Sequence, residues 1–136
     1  MANPHIIAAF GEAEKGQFNK PYYCDSLPQL VDFFGNPPKE SQGLSFAIQV
    51  LMYEWDLIFF RVKEEGFSKK DYLAGFGHLT NRALAPHLDA ICLPGVGDPE
   101  IIHAADPIHA IHHNLLITTE KDLFDYLASF STTPEM

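Results

Sequence analysis

Four stretches of the chain are apolar on successive residues rather than on alternate ones: HIIAAF (5–10), LIFFRV (57–62), LDAICL (88–93) and LLITT (115–119). A strand covered on both faces needs that pattern, whereas a strand with one wet face alternates. Between them the apolar positions recur at helical spacing. LPQLVDFF follows Ser26, with Gln29 three residues on in a capping-box pattern, and Gly35 closes it. In GLSFAIQVLMYEW (43–55), Leu44, Ile48, Leu51 and Trp55 fall on one helical face. Ser68 and Asp71 open a helix predicted to run to about Leu84, before Pro86. Asp98-Pro99 starts another, since Asp caps and Pro loses no needed N–H at the first helical position. Thr119 and Asp122 open the last, KDLFDYLASF.

Strands separated by helices pair in parallel through right-handed crossovers. The expected fold class is α/β: a Rossmann-like three-layer sandwich, one domain over residues 1–136, with a mainly parallel sheet of about four strands. GNPPKESQG (35–43) reads as a surface loop between two helices, and STTPEM (131–136) as a frayed tail.

Composition narrows the function classes. The chain is 46% hydrophobic, enough for a real core, and no apolar run approaches the ~20 residues of a membrane span. MANPHIIAAF lacks the basic start and cleavage pattern of a signal peptide, so a cytoplasmic protein is expected. Nine Lys/Arg against eighteen Asp/Glu give a net charge of −9, and Lys69-Lys70 is the sole adjacent basic pair. Nucleic acid and anionic membranes, which demand clustered cations, are poor partners. Cys24 and Cys92 form no CxxC pair and read as free thiols in a reducing compartment.

Ligands of open parallel sheets sit where strand C-termini meet helix N-termini. Two glycine loops occupy such positions: FGEAEKG, with Gly11 and Gly16, and PGVGD, with Gly95, Gly97 and Asp98. A phosphate would seek free amides and positive charge there. Instead Asp98 is placed to cap those amides itself, and the first loop has Gln17 and Phe18 where a phosphate loop needs Lys and Ser/Thr. Gly11, Gly95, Gly97 and Asp98 are therefore weak ligand-binding candidates, better read as turn formers.

The histidines admit a metal site but fit a helix end better. His109 and His113, four apart, would share a face of a continuous helix, with Asp106 or His112 as a third ligand. Pro107 interrupts that segment, and His112 and His113 suit a helix C-terminus, so no metal and no cofactor is expected. The catalytic candidates are equally weak. Cys92 lies in an apolar run and needs His103 or His78 nearby to act as a nucleophile. Glu64-Glu65 and Glu12 at strand ends read as solvated turns before general acid/base groups. Arg61, between Phe60 and Val62, needs a partner and is expected to brace an acidic loop.

The order of segments resembles the core domain of contractile phage tail sheath proteins. GEAEKGQFNKP matches that family's G-x-A-x-K-G-x-x-N-x-P turn, FGNP its FG-x-P helix end, and Arg61-Val62 its strand ending in RV. DYLAGFGHLTNRALAPHLDAICLPGVGDPEIIHAA looks like the second core segment, whose strand runs into PG-x-x-D. The resemblance implies a structural protein, a sheath core without the family's intervening insertions. Sheath subunits join through extended terminal arms; with only MANP before the first predicted strand, assembly through the domain surface is expected instead.

The leading expectation is a non-enzymatic interaction or assembly module working through a protein partner or self-association, with Tyr22, Tyr23, Phe67 and Tyr72 as a possible contact patch. The alternative is a small ligand-binding protein or enzyme using the strand C-terminal edge. It requires a concave pocket there holding at least two of Glu12, Glu64, Glu65, Cys92, Asp98 and His103.

Overall fold

The structure, a computed structural model, describes residues 5–81 and 83–131. Its elements run β1 (Ile6–Gly11), β2 (Tyr22–Cys24), α1 (Leu27–Phe34), α2 (Gly43–Met52), β3 (Asp56–Arg61), α3 (Lys69–Leu79), β4 (Ala90–Cys92), α4 (Pro99–Ala104), α5 (Asp106–His112), β5 (Leu115–Ile117) and α6 (Glu120–Ser131). The sheet order is β2-β3-β1-β4-β5, parallel throughout except for β2, which runs antiparallel to β3. An α/β fold is what the successive apolar runs required.

β1 is central, and all six of its residues are buried. Its two side-chain rows feed two cores. Ile7 and Ala9 face Leu30, Phe34, Ala47, Val50, Leu123 and Leu127, so α1, α2 and α6 cover one side. Ile6, Ala8 and Phe10 face Tyr72, Phe76, Leu79, Ile101 and Ile108, so α3, α4 and α5 cover the other. Phe10 stacks on Phe60 with ring centroids 4.7 Å apart and meets Phe76 edge-on at 5.3 Å. Offset and edge-to-face geometries of this kind stabilise beyond area burial. Much of the aromatic content is thereby core.

Ser26, Gly35 and Thr119 act as the caps their positions predict, whereas Ser68 precedes α3 without capping it, its Oγ donating to the Glu64 carbonyl, and Asp71 accepts the Lys63 N–H. Ser26 Oγ accepts the Gln29 N–H at 3.5 Å, while Gln29 Oε1 accepts the Asp25 N–H at 2.7 Å, one residue earlier than an ideal capping box. Gly35 ends α1 at φ +73° and donates to the Val31 carbonyl. Thr119 Oγ1 accepts from Asp122 N–H at the start of α6.

Several expectations change. A fifth strand, β2, is added: three residues behind Pro21, buried on one side only, do not produce a continuous apolar run. α2 stops at Met52, because Glu54 turns left-handed at φ +65°; Trp55 is buried beyond the helix. α3 ends at Leu79 rather than near Leu84. The helix begun at Asp98 breaks after Ala104, and Pro107 sits in the first turn of the separate α5. Of the tail expected to fray from residue 131, Ser131 is the last residue of α6, and 132–136 lie outside the described residues. No described helix is long and apolar enough to cross a membrane.

Candidate functional site at the C-terminal edge of the sheet

The chain leaves β1 toward β3 on one side and later toward β4 on the other, so the topological switch point lies at the C-terminal end of β1. The loops following β1, β3 and β4 meet there. Gly66, at φ +91°, and Gly95, at φ +78°, bring two of them into contact: a Cβ on Gly66 would lie 2.5 Å from the Gly95 carbonyl oxygen. Between the loops is a cleft of about 410 Å³ whose lining includes Glu12, Glu40, Glu64 and Glu65 together with Lys39 and Phe67.

Two of those carboxylates are already engaged. Glu65 Oε1 accepts the Glu12 N–H and the Gly43 N–H, each at 3.0 Å, and Glu65 Oε2 accepts the Gln42 N–H at 2.6 Å. In return, Glu12 Oε2 accepts the Glu65 N–H at 2.9 Å. The need is local: α2 begins Gln42-Gly43 and has no side-chain cap of its own, since Ser41 Oγ donates instead to the Pro38 carbonyl. Uncapped N-terminal amides require an acceptor. Glu65, twenty-two residues on, supplies it from the β3–α3 loop. A carboxylate thus stands where a phosphate would sit on such amides, its charge matched to the helix dipole.

The second glycine loop is closed in the same manner. Asp98 Oδ1 accepts the Glu100 N–H at 2.9 Å at the mouth of α4. Gly95 is a turn former with a left-handed backbone, whereas Gly97 has open space around its Cβ position and Gly11 is needed for close approach to Gly43. Lys69 pairs with Glu100 at 2.9 Å, bridging α3 to α4 beside this loop.

Arg61 braces the first loop, as expected of a half-buried guanidinium. Its Nη1 donates to the Gly16 carbonyl at 2.6 Å, and its guanidinium lies over the Phe18 ring at 4.4 Å. Cys92 is wholly buried at the end of β4, and burial pushes its thiol far above its ordinary range. Cys24 is pushed up to about 12 by burial and by the neighbouring Asp25. Neither is poised as a nucleophile.

Comparison with protein-family models, with curated proteins and with solved structures finds no match to this chain.

The histidine candidates lie elsewhere. His103 is exposed at the end of α4, with its Nδ1 3.0 Å from Asp106 Oδ2. His109 and His113 do not share a continuous helix, because His113 is the left-handed cap of α5 at φ +56°. His109 Nδ1 donates to the Asn114 carbonyl at 2.8 Å, and His112 Nε2 to the Leu79 carbonyl at 3.1 Å. Among the described residues no three His, Cys, Asp or Glu side chains group to hold a metal ion. The aromatic quartet is also dispersed. Tyr72 is fully buried with its hydroxyl accepting the Gly66 N–H at 2.6 Å, and Tyr22 packs on Phe33 and Phe34. Phe67, which lines the cleft, is 77% exposed.

Of the edge candidates, then, Glu12, Glu64 and Glu65 come together with Gly95, while Cys92 and His103 take no part in the cleft walls. Glu65 as the cap of α2 was missed by sequence reasoning. The available signal was the lack of Ser, Thr, Asp or Asn at position 42.

Proposed function

We propose that this chain is a non-enzymatic interaction or assembly module in the cytoplasm, a minimal core of the tail-sheath kind that works through protein contacts. The observation that supports this most is Glu65: one carboxylate takes three amides at the switch point, so the place where open α/β sheets bind anions is filled from within. Asp98 does likewise at the mouth of α4. An incoming phosphate would meet both resident anions, with Glu12, Glu40 and Glu64 beside the first. Thermal-shift measurement against nucleotides, inorganic phosphate and divalent metals tests the reading. Unchanged melting temperatures are expected. A saturable rise with any nucleotide would overturn it.

A second reading is a small ligand-binding protein or enzyme acting at the same edge. What favours it is the cleft itself, which is open and holds Glu12, Glu64 and Glu65. Its ligand would carry positive charge, given four carboxylates against Lys39. Binding of a small cationic amine that is lost in Glu64→Ala would favour it over the assembly reading.

A further inference from the structure

Asn114, between α5 and β5, is 7% exposed, yet among the described residues nothing donates to its Oδ1. Its Nδ2 donates to the Leu115 carbonyl at a long 3.4 Å. A buried acceptor without a donor is costly, and folded chains rarely leave one without a water, an ion or a ligand. Asn114 lines a cavity of about 350 Å³ at the start of β5, the free edge of the sheet. The same cavity is lined by the apolar Ile102, Ala105, Leu115 and Leu116 and by two further polar residues, Asp106 and His109.

All three polar side chains bring acceptors. His109 Nδ1 lies 2.8 Å from the Asn114 carbonyl, which can only accept, so Nδ1 carries the proton and Nε2 of the neutral ring keeps its lone pair. The Asp106 carboxylate accepts only, and its Oδ2 meets His103 Nδ1 at 3.0 Å. Acceptors cannot satisfy one another, so the missing component is a donor. Among the described residues no Lys or Arg lines the cavity, and Asp106 gives it a negative charge. An ammonium group answers both needs, with three N–H donors, no acceptor and one positive charge. The terminal torsion of an asparagine is soft, so the amide can turn Oδ1 to such a donor and give up only the long Nδ2 contact. The apolar lining suits an aliphatic chain. The volume is at the low end of the ~300–1,000 Å³ of ligand pockets, which keeps that chain short.

We propose that this cavity binds a short alkylammonium group, with Asn114 Oδ1, Asp106 and His109 Nε2 as its acceptors. A free amine and the lysine side chain of another protein both supply that group. The site lies at the start of β5, whereas the Glu12–Glu64–Glu65 cleft lies beyond the C-terminal ends of the strands, so the two are independent. The test is titration of the full chain at about pH 8, above the ordinary range of imidazole titration, followed by amide NMR spectra. The probes are n-butylammonium, n-butanol and butyrate, each to about 50 mM at constant ionic strength. n-Butylammonium is expected to shift the Asn114 side-chain amide and the Leu115 and Leu116 backbone amides saturably, while n-butanol and butyrate do not. Asn114→Leu replaces the orphaned acceptor with an apolar side chain of similar shape, and should weaken binding about tenfold or more with unchanged circular dichroism. Asp106→Asn, at an exposed position, should weaken it about threefold or more and decides the matter if Asn114→Leu does not fold. Glu64→Ala should bind as wild type does. N-acetyl-lysine N-methylamide binding more tightly than n-butylammonium would mark a protein lysine as the source, and the reverse order a free amine. No saturable shift, or an equal response to n-butanol, would overturn the proposal and leave the cavity to water. Unchanged binding in both Asn114→Leu and Asp106→Asn would overturn it too. Shifts confined to Glu12, Glu64, Glu65 and Gly95 would overturn this site and place amine binding in the other cleft.

Discussion

Gly11, the last residue of β1, and Gly43, the first of α2, meet backbone to backbone: a Cβ on either would overlap the other's Cα. The added atom would also lie 2.9 Å from Glu65 Oε1 at Gly11 and 3.0 Å at Gly43. This contact holds the mouth of α2 against the end of the central strand, within reach of its cap.

Gly11→Ala and Gly43→Ala should each destabilise the protein by about 1–3 kcal/mol, the usual cost of overpacking where backbone cannot give way. Gly77→Ala is the contrast. It lies inside α3 with nothing within 4 Å of its Cβ position, so it should stabilise by about 0.5–1 kcal/mol. Urea unfolding midpoints at constant slope would measure both directions.

Removing Glu65 strips three amides of their acceptor at once. Glu65→Ala should cost about 2–3 kcal/mol, and Glu65→Gln less, since an amide oxygen still accepts. Glu64→Ala, one residue earlier and exposed, should stay within about 0.5 kcal/mol. Equal losses at the two positions would contradict the capping role.

Alkaline pH should destabilise the fold. Burial raises the Cys24 thiol from 9.0 to about 12 and the Cys92 thiol further. Burial together with the hydrogen bond to Asp56 raises the Tyr23 phenol, and burial raises that of Tyr72, from 10.0. Each group keeps its proton longer in the folded state than in the unfolded one. Their contribution is therefore complete below pH 9 and is lost as pH rises, first through the thiols and then through the phenols. Denaturant melts between pH 7 and pH 11 would follow this. In the same experiment both thiols should resist alkylation until the protein unfolds.

Zinc should leave the melting temperature unmoved. His109 and His112 each commit a ring nitrogen to a backbone carbonyl on different elements, and His103 is engaged with Asp106. A stoichiometric rise with one equivalent of Zn²⁺ would refute the helix-end role assigned to these side chains.

What could be read from the sequence, and what could not, divides by range. Three of the strands, β1, β3 and β4, were legible because burial on both faces writes unbroken apolar runs, whereas β5, from an equally apolar run, is an edge strand with Leu115 exposed. Ser26, Asp98 and Thr119 were legible because a cap and its helix adjoin. β2 was not, since Tyr22–Cys24 is short and its burial alternates. In Glu64-Glu65 the two residues look alike in sequence, yet one is solvated and the other closes a helix begun twenty-two residues earlier. Only the tertiary meeting of three loops separates them. Pro107 marked the break in the His-rich segment correctly; the angle at which α4 and α5 part is a matter of packing.

The cap on α2 also makes that helix depend on a later part of the chain. The helix lies before β3 in the chain, but its acceptor, residue 65, comes only after β3. A nascent chain that ends at β3 would carry α2 with an open first turn. A fragment cut anywhere before residue 65 would therefore lack the side chain that closes this helix in the whole chain.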